Sequence, residues 1–471
     1  MMNWTHIRNG LLGLAGLLMQ ITTSSQESNI EFFLNSFAGK YPYMPYYTWA
    51  NQLGQLNDTT GNMLGVYLYA DGKWELPRTN TALKGGFRLY NKYASGENEL
   101  KFIELFAGIE TPKFSATAGW FADSLIQGNL SMTNGNFLSS RNAEPYFRAR
   151  IGTNGFIPIG KKDLRISGRW EEGFLGDHNF VRNTKIHHKN LHFRWGNYDD
   201  GEFTAGIDHY AMWGGISRSA GDIPQKPMDY IRTVFSLPGG KNASDSDQQN
   251  VNGNQLGQYI FTYRKQFNNK VMEARLAHPF EDFSGMVFVN FPDNLYSLAL
   301  DYDDHPLFKR ILLEFMYTKH QSGDDIDKKT GEYRHRNGTD NYFNHGTYRT
   351  FTHKGMMIGS PMFLPTLATN DGVTFSLENN RIMAFSAGLQ GTLFQDILNW
   401  KTIVTKSYHY GRYFAPYDPV REQLYTFTEI SFYFPSTPVM AKIAVSWDQG
   451  DLQPEQYFSQ VYSIFSLGVT F

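Results

Sequence analysis

The chain has 471 residues, no cysteine and a formal net charge of −2, with 43 Lys and Arg against 45 Asp and Glu. Near-neutral charge without a basic stripe excludes nucleic acid as a partner, and the lack of cysteine excludes disulfides and a lipoprotein acylation site. Aromatic residues make up 16% of the chain while mean hydropathy is −0.43, which excludes a helical membrane protein and suits a β-barrel, where only alternate residues meet lipid.

In chain order, His6 and Arg8 precede the apolar run from Leu11 to Ile21 and then Thr22-Thr-Ser-Ser25, the order of a secretory signal. The run is too short to span a bilayer as a permanent helix. We expect cleavage near Ser24 or Ser25, which leaves 26–471 as one domain. After the Pro-rich aromatic stretch Tyr41-Pro-Tyr-Met-Pro-Tyr-Tyr47, the dominant period is two. Strand patterns run Met63 to Ala70, Leu83 to Asn91, Leu100 to Glu110 and Phe114 to Trp120, where Phe114, Ala116, Ala118 and Trp120 alternate with Ser115, Thr117 and Gly119. The clearest sets Leu164, Ile166, Gly168 and Trp170 against Arg165, Ser167, Arg169 and Glu171. Its apolar face would meet lipid and its charged face the lumen.

Further patterns run His187 to Gly196, Glu202 to Trp213, Tyr259 to Phe267, Val271 to His278, Leu295 to Asp303, Lys309 to Thr318, Ile382 to Leu393, Ile397 to His409 and Tyr425 to Phe434. Val439, Ala441, Ile443, Val445 and Trp447 then alternate with Met440, Lys442, Ala444 and Ser446. In the final strand Phe465, Leu467, Val469 and Phe471 share one face, and the chain resembles outer-membrane proteins in stopping on Phe. Asp71-Gly72, Asn197 to Gly201 and Asn268-Asn269 read as hairpin turns. Four long irregular stretches, 123–145, 173–185, 214–257 and 320–381, read as extracellular loops or inward-folded plugs, with Gly239 to Gly257 as a mobile tip. No amphipathic helix of useful length is evident. The fold expected is all-β: a transmembrane antiparallel barrel of about 16–18 strands with long extracellular or plug loops, and a lumen of that size must be filled or gated.

Catalytic and metal readings are weaker. Glu171 and Glu172 point to opposite faces of a strand and cannot share a site unless it bulges. Asp301, Asp303 and Asp304 fall at a strand end, as in a solvated turn. His188 and His192 would lie about 13 Å apart at ~3.3 Å per residue, too far for one ion. Asp325 to Gly331 has its Gly one place late for a calcium loop. No catalytic residue, cofactor or metal is expected.

The most distinctive wording is Gly338-Thr-Asp-Asn-Tyr-Phe-Asn-His-Gly-Thr-Tyr-Arg349, continuing to Gly355-Met-Met-Ile-Gly-Ser-Pro361. With Gly135-Asn-Phe-Leu-Ser-Ser-Arg-Asn-Ala-Glu-Pro145, Gly168-Arg-Trp-Glu-Glu-Gly-Phe-Leu-Gly176 and Lys189-Asn-Leu-His192, it resembles the capsule-assembly outer-membrane family (Wzi-like). The resemblance implies an outer-membrane lectin that binds exported capsular or exopolysaccharide, with membrane lipid and export machinery as further partners. Sugars need aromatic platforms beside groups that donate and accept hydrogen bonds. Tyr342, Phe343 and Tyr348 could be platforms, and Asp340, Asn341, Asn344, His345 and Arg349 the polar groups. Arg349 with lumenal Arg165 and Arg169 could meet the carboxylates of an acidic polymer. The same residues could instead build a plug. Two other functions stay open: a porin or solute-specific channel, and a β-rich glycan-active enzyme of the envelope.

Overall fold

The computed structural model describes residues 27–160, 163–322, 325–326, 333–334, 340–367, 373–394, 397–452 and 459–470. The signal-like segment 1–25, most of the calcium-loop candidate and Phe471 lie outside the described residues.

Alternation along the chain builds eighteen antiparallel strands that close into a barrel. They are β1 (Glu27–Gly39), β2 (Met63–Glu75), β3 (Ala82–Ala94), β4 (Glu97–Glu110), β5 (Phe114–Trp120), β6 (Phe147–Thr153), β7 (Leu164–Phe174), β8 (Lys185–Asn197) and β9 (Gly201–Trp213). The second half comprises β10 (Asn254–Phe267), β11 (Lys270–Phe280), β12 (Asn294–Tyr302), β13 (Arg310–Tyr317), β14 (Ile382–Leu393), β15 (Leu398–Arg412), β16 (Ala415–Tyr433), β17 (Val439–Gly450) and β18 (Ser459–Thr470). Each strand pairs with its sequence neighbour, and β1 closes the ring on β18. Closure satisfies every strand edge, the condition for crossing hydrocarbon without helices. No described helix is long and apolar enough to cross a membrane. The long loops leave the barrel at one end, and mostly short turns join the strands at the other.

The faces follow the sequence alternation. Trp170, Phe465, Leu467, Ile443 and Val445 are exposed on the outer wall, whereas Arg165 and Glu171 turn inward and find partners there. The seam is shaped on its inner side. Gly39 lies opposite Tyr462 and Gly468 opposite Phe33, and a Cβ on either glycine would stand 2.2 or 2.4 Å from the facing ring.

β1 lies outside the expected strands, and two expectations need correction. β1 gives no clean alternation, because it carries Leu34 outward and Phe33 inward, stacked on Tyr67 at 5.2 Å; apolar residues on both faces hide the period. Asp71-Gly72 is not a turn: both residues sit inside β2, opposite Asn29 and Ser28 of β1 and Gly86 and Gly85 of β3. Pairing on both sides carries the strand on to Glu75. Within 214–257, the expected absence of an amphipathic helix fails, and Asn254 to Gly257 open β10 rather than forming a mobile tip.

Short loop helices contact the barrel wall, among them the following two. α1 (Tyr46–Trp49) is one turn inside the first loop. α2 (Pro227–Val234) starts on a proline, with the Asp229 carboxylate accepting the Lys226 N–H at 2.9 Å. It lies against the outer wall: Tyr230 donates to Glu172 at 2.5 Å, and Lys189 reaches the Val234 carbonyl.

Candidate functional site in the barrel lumen

Three segments from the long-loop end fold into the lumen, and wall side chains satisfy their backbones. In the first loop the Tyr46 N–H donates to Asp448 at 2.7 Å, and the Tyr46 hydroxyl to the Met132 carbonyl at 2.6 Å. The second, 121–146, reaches deepest. Its Gln127 donates to Glu273 at 2.7 Å and accepts from Arg310, the first residue of β13, at 2.7 Å. Glu314 accepts from Ser131 Oγ at 2.7 Å and Met132 N–H at 2.9 Å. This segment therefore crosses the lumen to the short-turn end.

The third segment, 340–363, meets the second in a dry core. Phe137, Phe343, Phe351 and Phe363 are buried to 2% exposure or less, with Phe343 and Phe363 ring centroids 4.7 Å apart. Ile186, Tyr210, Met316 and Ile382 close the core from the wall. Packing of this kind leaves few voids larger than a water molecule. The junction is keyed by backbone: Ser140 N–H donates to Ile358 O at 3.1 Å and Ser360 N–H to Phe137 O at 2.9 Å. A Cβ on Gly359 would stand 2.2 Å from the Phe137 carbonyl oxygen. The stretches Gly135–Pro145 and Gly355–Pro361, singled out separately in the sequence, are thus the two halves of one contact.

The expected glycan set is split by this packing. Tyr342, Phe343 and Tyr348 are buried in the plug, whereas Asn341, Asn344, His345 and Arg349 are half-buried. The Tyr342 hydroxyl donates to Asp293 at 2.8 Å and accepts from Asn290 at 2.7 Å. Asn344 contacts Ser376 at 3.2 Å, and His345 Nδ1 accepts the Thr347 and Tyr348 N–H groups. The Arg349 guanidinium lies over Phe375 at 4.6 Å and Phe180 at 5.1 Å. Arg165 and Arg169 face the lumen as expected but are paired elsewhere, Arg165 with Glu202 at 2.9 Å and Arg169 with Asp123 at 3.4 Å. The histidines hold no metal cluster among the described residues: His188 stacks on Tyr210 at 3.8 Å and His192 bonds Asp208 at 3.1 Å.

Where β5 ends and the second segment begins, five charges meet. Asp123 contacts Arg148 at 3.2 Å, Arg150 at 2.6 Å and Arg169 at 3.4 Å, while Glu171 contacts Arg148 at 3.1 Å and Arg150 at 2.6 Å. Burial works against ionised Asp123, but the three guanidinium groups overcome it and hold its carboxyl well below the usual range. Three cations share two carboxylates, so each carboxylate carries more than one pairing.

A second electrostatic feature fastens 340–344 to the loop before β12. Asp293 accepts from His320 N–H at 2.9 Å, Gln321 N–H at 2.6 Å and Tyr342. Ser322 donates to Asp340 at 2.6 Å, and Phe343 N–H donates to Glu281 at 2.5 Å. Burial pushes Asp293 up to about 7 and Asp340 up to about 6, against the pull of these donors, and raises Glu281 well above its ordinary value. A carboxyl whose folded pKa is raised holds a proton that the released loop gives up. Docking is then strongest near pH 4 and loses stability as pH rises through 6 and 7, on the order of a few kcal/mol in all. Amide exchange at Phe343, corrected for the intrinsic rate, should quicken between pH 5 and pH 8; unchanged protection would refute the linkage.

Beside the plug, the sector formed by β1–β3 and β15–β18 keeps open space. A chamber of about 280 Å³ lies between α1, the second segment and the wall, lined by Phe33, Tyr67, Arg88, Arg141, Lys401 and Lys442 among others. A neighbouring cavity of about 340 Å³ shares Lys401, Glu429 and Lys442 and runs past Lys309, Asn399 and Trp400 at the short-turn end. None of these residues was expected in a site, although the alternation of β17 already placed Lys442 on the lumenal face.

No family model and no curated relative matches the chain. Solved structures do match in fold. The barrel is similar to Wzi of Escherichia coli, described as a carbohydrate-binding outer-membrane β-barrel involved in group 1 capsule assembly, at 12% identity over 97% of this chain and 87% of that one, with a TM-score of 0.55. The chain has the fold of an outer-membrane β-barrel. The barrel is also similar to OccK3 (OpdO) of Pseudomonas aeruginosa, at 10% identity over 96% of this chain and 98% of that one, with a TM-score of 0.50. With OccK5 (OpdH) of the same organism the identity is 8%, over 95% and 99% of the two chains, at a TM-score of 0.49.

Proposed function

We propose that the barrel is a non-catalytic, integral outer-membrane protein, exported by a cleaved signal, that binds capsular or exopolysaccharide and holds it at the cell surface. The observation that carries this reading is the packed apolar core that fills the β8–β14 side of the lumen at the long-loop end, which suits a surface that holds a polymer better than a pore that passes solutes. Above that core, Asn341, Asn344, His345 and Arg349 offer half-buried amides, an imidazole and a guanidinium, the donor and acceptor mixture that sugar hydroxyls require. Tyr342, Phe343 and Tyr348 hold this surface in shape, and Asp340 fastens its start. The test is surface polysaccharide in a deletion strain complemented with wild-type protein. Loss of retained polymer on deletion, restored on complementation, is expected; normal retention without the protein would remove the proposal.

A second reading, a solute-specific channel, draws on the cavities that continue toward the short-turn end. Planar-bilayer recording separates the two. The polymer-holding barrel gives no stable open conductance, and a channel gives regular steps.

A further inference from the structure

We infer that the lumenal chamber between β1–β3 and β15–β18 is a binding site for an acidic oligosaccharide segment, entered from the short-turn, periplasmic end. The ligand class rests on the polysaccharide-holding function proposed for the barrel; the site itself rests on the geometry of the chamber.

The wall holds cations over buried aromatic rings at the edge of the chamber. Phe33 and Tyr67 stack at an interplanar angle of 10°, Lys442 Nζ lies 5.0 Å from the Phe33 centroid, and Lys401 Nζ lies 5.2 Å from that of Phe427. Phe33 is 3% and Phe427 7% exposed beneath these partners, so the wall offers a ligand its cations rather than open ring faces. The cations are under-compensated. Arg88 is paired with Glu104 at 2.7 Å, and Lys401 has Glu429 at 3.5 Å. Arg141 has no ion pair among the described residues, and its Nε is buried without a partner. The acids around it, Glu104 and Glu31, are already engaged by Arg88 and the Tyr67 hydroxyl. Lys442 and Lys309 likewise have no carboxylate partner among the described residues. A buried guanidinium donor left unmatched is costly, and a carboxylate is the group that fits its fork.

The two cavities, at about 280 and 340 Å³, together fall within the range of small-ligand sites. Amide and hydroxyl side chains, Asn35, Gln52, Asn129 and Ser466 in the inner cavity and Asn399 and Ser431 in the outer, supply hydrogen bonds for sugar hydroxyls. Access is set by the plug. Toward the long-loop end the first loop packs Met44, Leu53 and Leu56 against Met63, Tyr90 and Tyr462, whereas the outer cavity lies at Trp400 and Tyr433, near the periplasmic turns between β14 and β15 and between β16 and β17. The site is thus separate from the surface residues around Asn344, on the opposite side of the core.

The experiment uses the full barrel in detergent micelles and oligogalacturonate as the probe, with a neutral malto-oligosaccharide and monomeric galacturonate alongside. Calorimetry should show binding of oligogalacturonate that weakens with salt, at least tenfold weaker binding in both Arg141→Gln and Lys442→Gln, and little binding of the neutral chain. Because the protein has no cysteine, Asn399→Cys introduces a single thiol, and oligogalacturonate should protect it from a charged thiol reagent. Equal affinity in the double variant Arg141→Gln/Lys442→Gln, equal binding of the neutral chain, or no protection at position 399 would overturn the site. Galacturonate binding as tightly as the oligomer would overturn the polymer ligand in favour of a small acid. Heat-modifiable electrophoretic mobility checks that each variant is a closed barrel. Polymer retained in cells carrying the double variant but lost on deletion sinks this site alone. Retention unaffected by deletion sinks the surface function and leaves the binding result standing.

Discussion

Gly359→Val should open the lumen while leaving the barrel wall intact. The valine Cβ would stand 2.2 Å from the Phe137 carbonyl oxygen, 3.3 Å from its carbon and 3.4 Å from Leu138 Cα. All three are backbone atoms, so no rotamer change relieves the clash; the two plug segments must part. Separation breaks the Ser140–Ile358 and Ser360–Phe137 hydrogen bonds and strips Phe363 and Phe137 of neighbours, a loss comparable to the roughly 3–5 kcal/mol of emptying a buried aromatic site. The strands share none of these atoms. Planar bilayers should then show conductance steps with Gly359→Val where the wild type is silent, with unchanged heat-modifiable mobility. Gly346→Val is the matched control, since nothing lies within 4 Å of its Cβ position. Silent bilayers with Gly359→Val would mean that the core does not depend on this contact.

Asp123→Asn should release the second segment from its root. The isosteric amide keeps the shape but leaves Arg148 and Arg150 with Glu171 alone and removes the carboxylate that Arg169 contacts. Arg148 is 4% exposed and holds the Phe121 carbonyl besides its ion pairs, so it cannot move into water without dragging the chain that follows β5. Removing one partner from a buried ion-pair cluster costs about 3–5 kcal/mol. We expect fast proteolytic cleavage and loss of amide protection within 121–146. Adding Arg150→Gln should restore part of the protection by withdrawing one uncompensated cation. Protection equal to wild type in the single variant would mean that Asp123 is dispensable.

Much of the wall was legible in the sequence because period two and a one-sided apolar face leave a direct trace. Leu164 to Glu171 and Val439 to Trp447 could be assigned outward and inward residue by residue. β1 escaped because aromatic residues on both faces erase the alternation, and α2 because eight residues in a polar stretch are too few for a helical period to stand out. The lumen was the harder part. Tyr342, Phe343 and Tyr348 were read as sugar platforms, and the packing makes them core; both uses call for aromatic side chains beside hydrogen-bonding groups, so residue type alone does not separate them. What separates them is convergence. Phe137, Phe351 and Phe363 arrive from segments some 200 residues apart in the chain, and no local pattern records that meeting. The chamber was hidden for the same reason: Arg141 comes from the plug, and Phe33 and Lys442 come from opposite ends of the chain.

The two glycine–aromatic steps at the seam bear on how the ring is completed. Ladder hydrogen bonds between β1 and β18 look alike in every register two residues apart, and such a slip keeps lipid-facing residues facing lipid. The rings distinguish these registers. A slip one way sets Tyr462 against Phe37 and puts Glu31 opposite Gly468; a slip the other way carries Tyr462 past the end of β1 and sets Ile464 opposite Gly39. Only the native register seats both rings over bare backbone. The seam therefore carries its own register marks: two ring-over-glycine seats six residues apart, which a shift of two residues empties together.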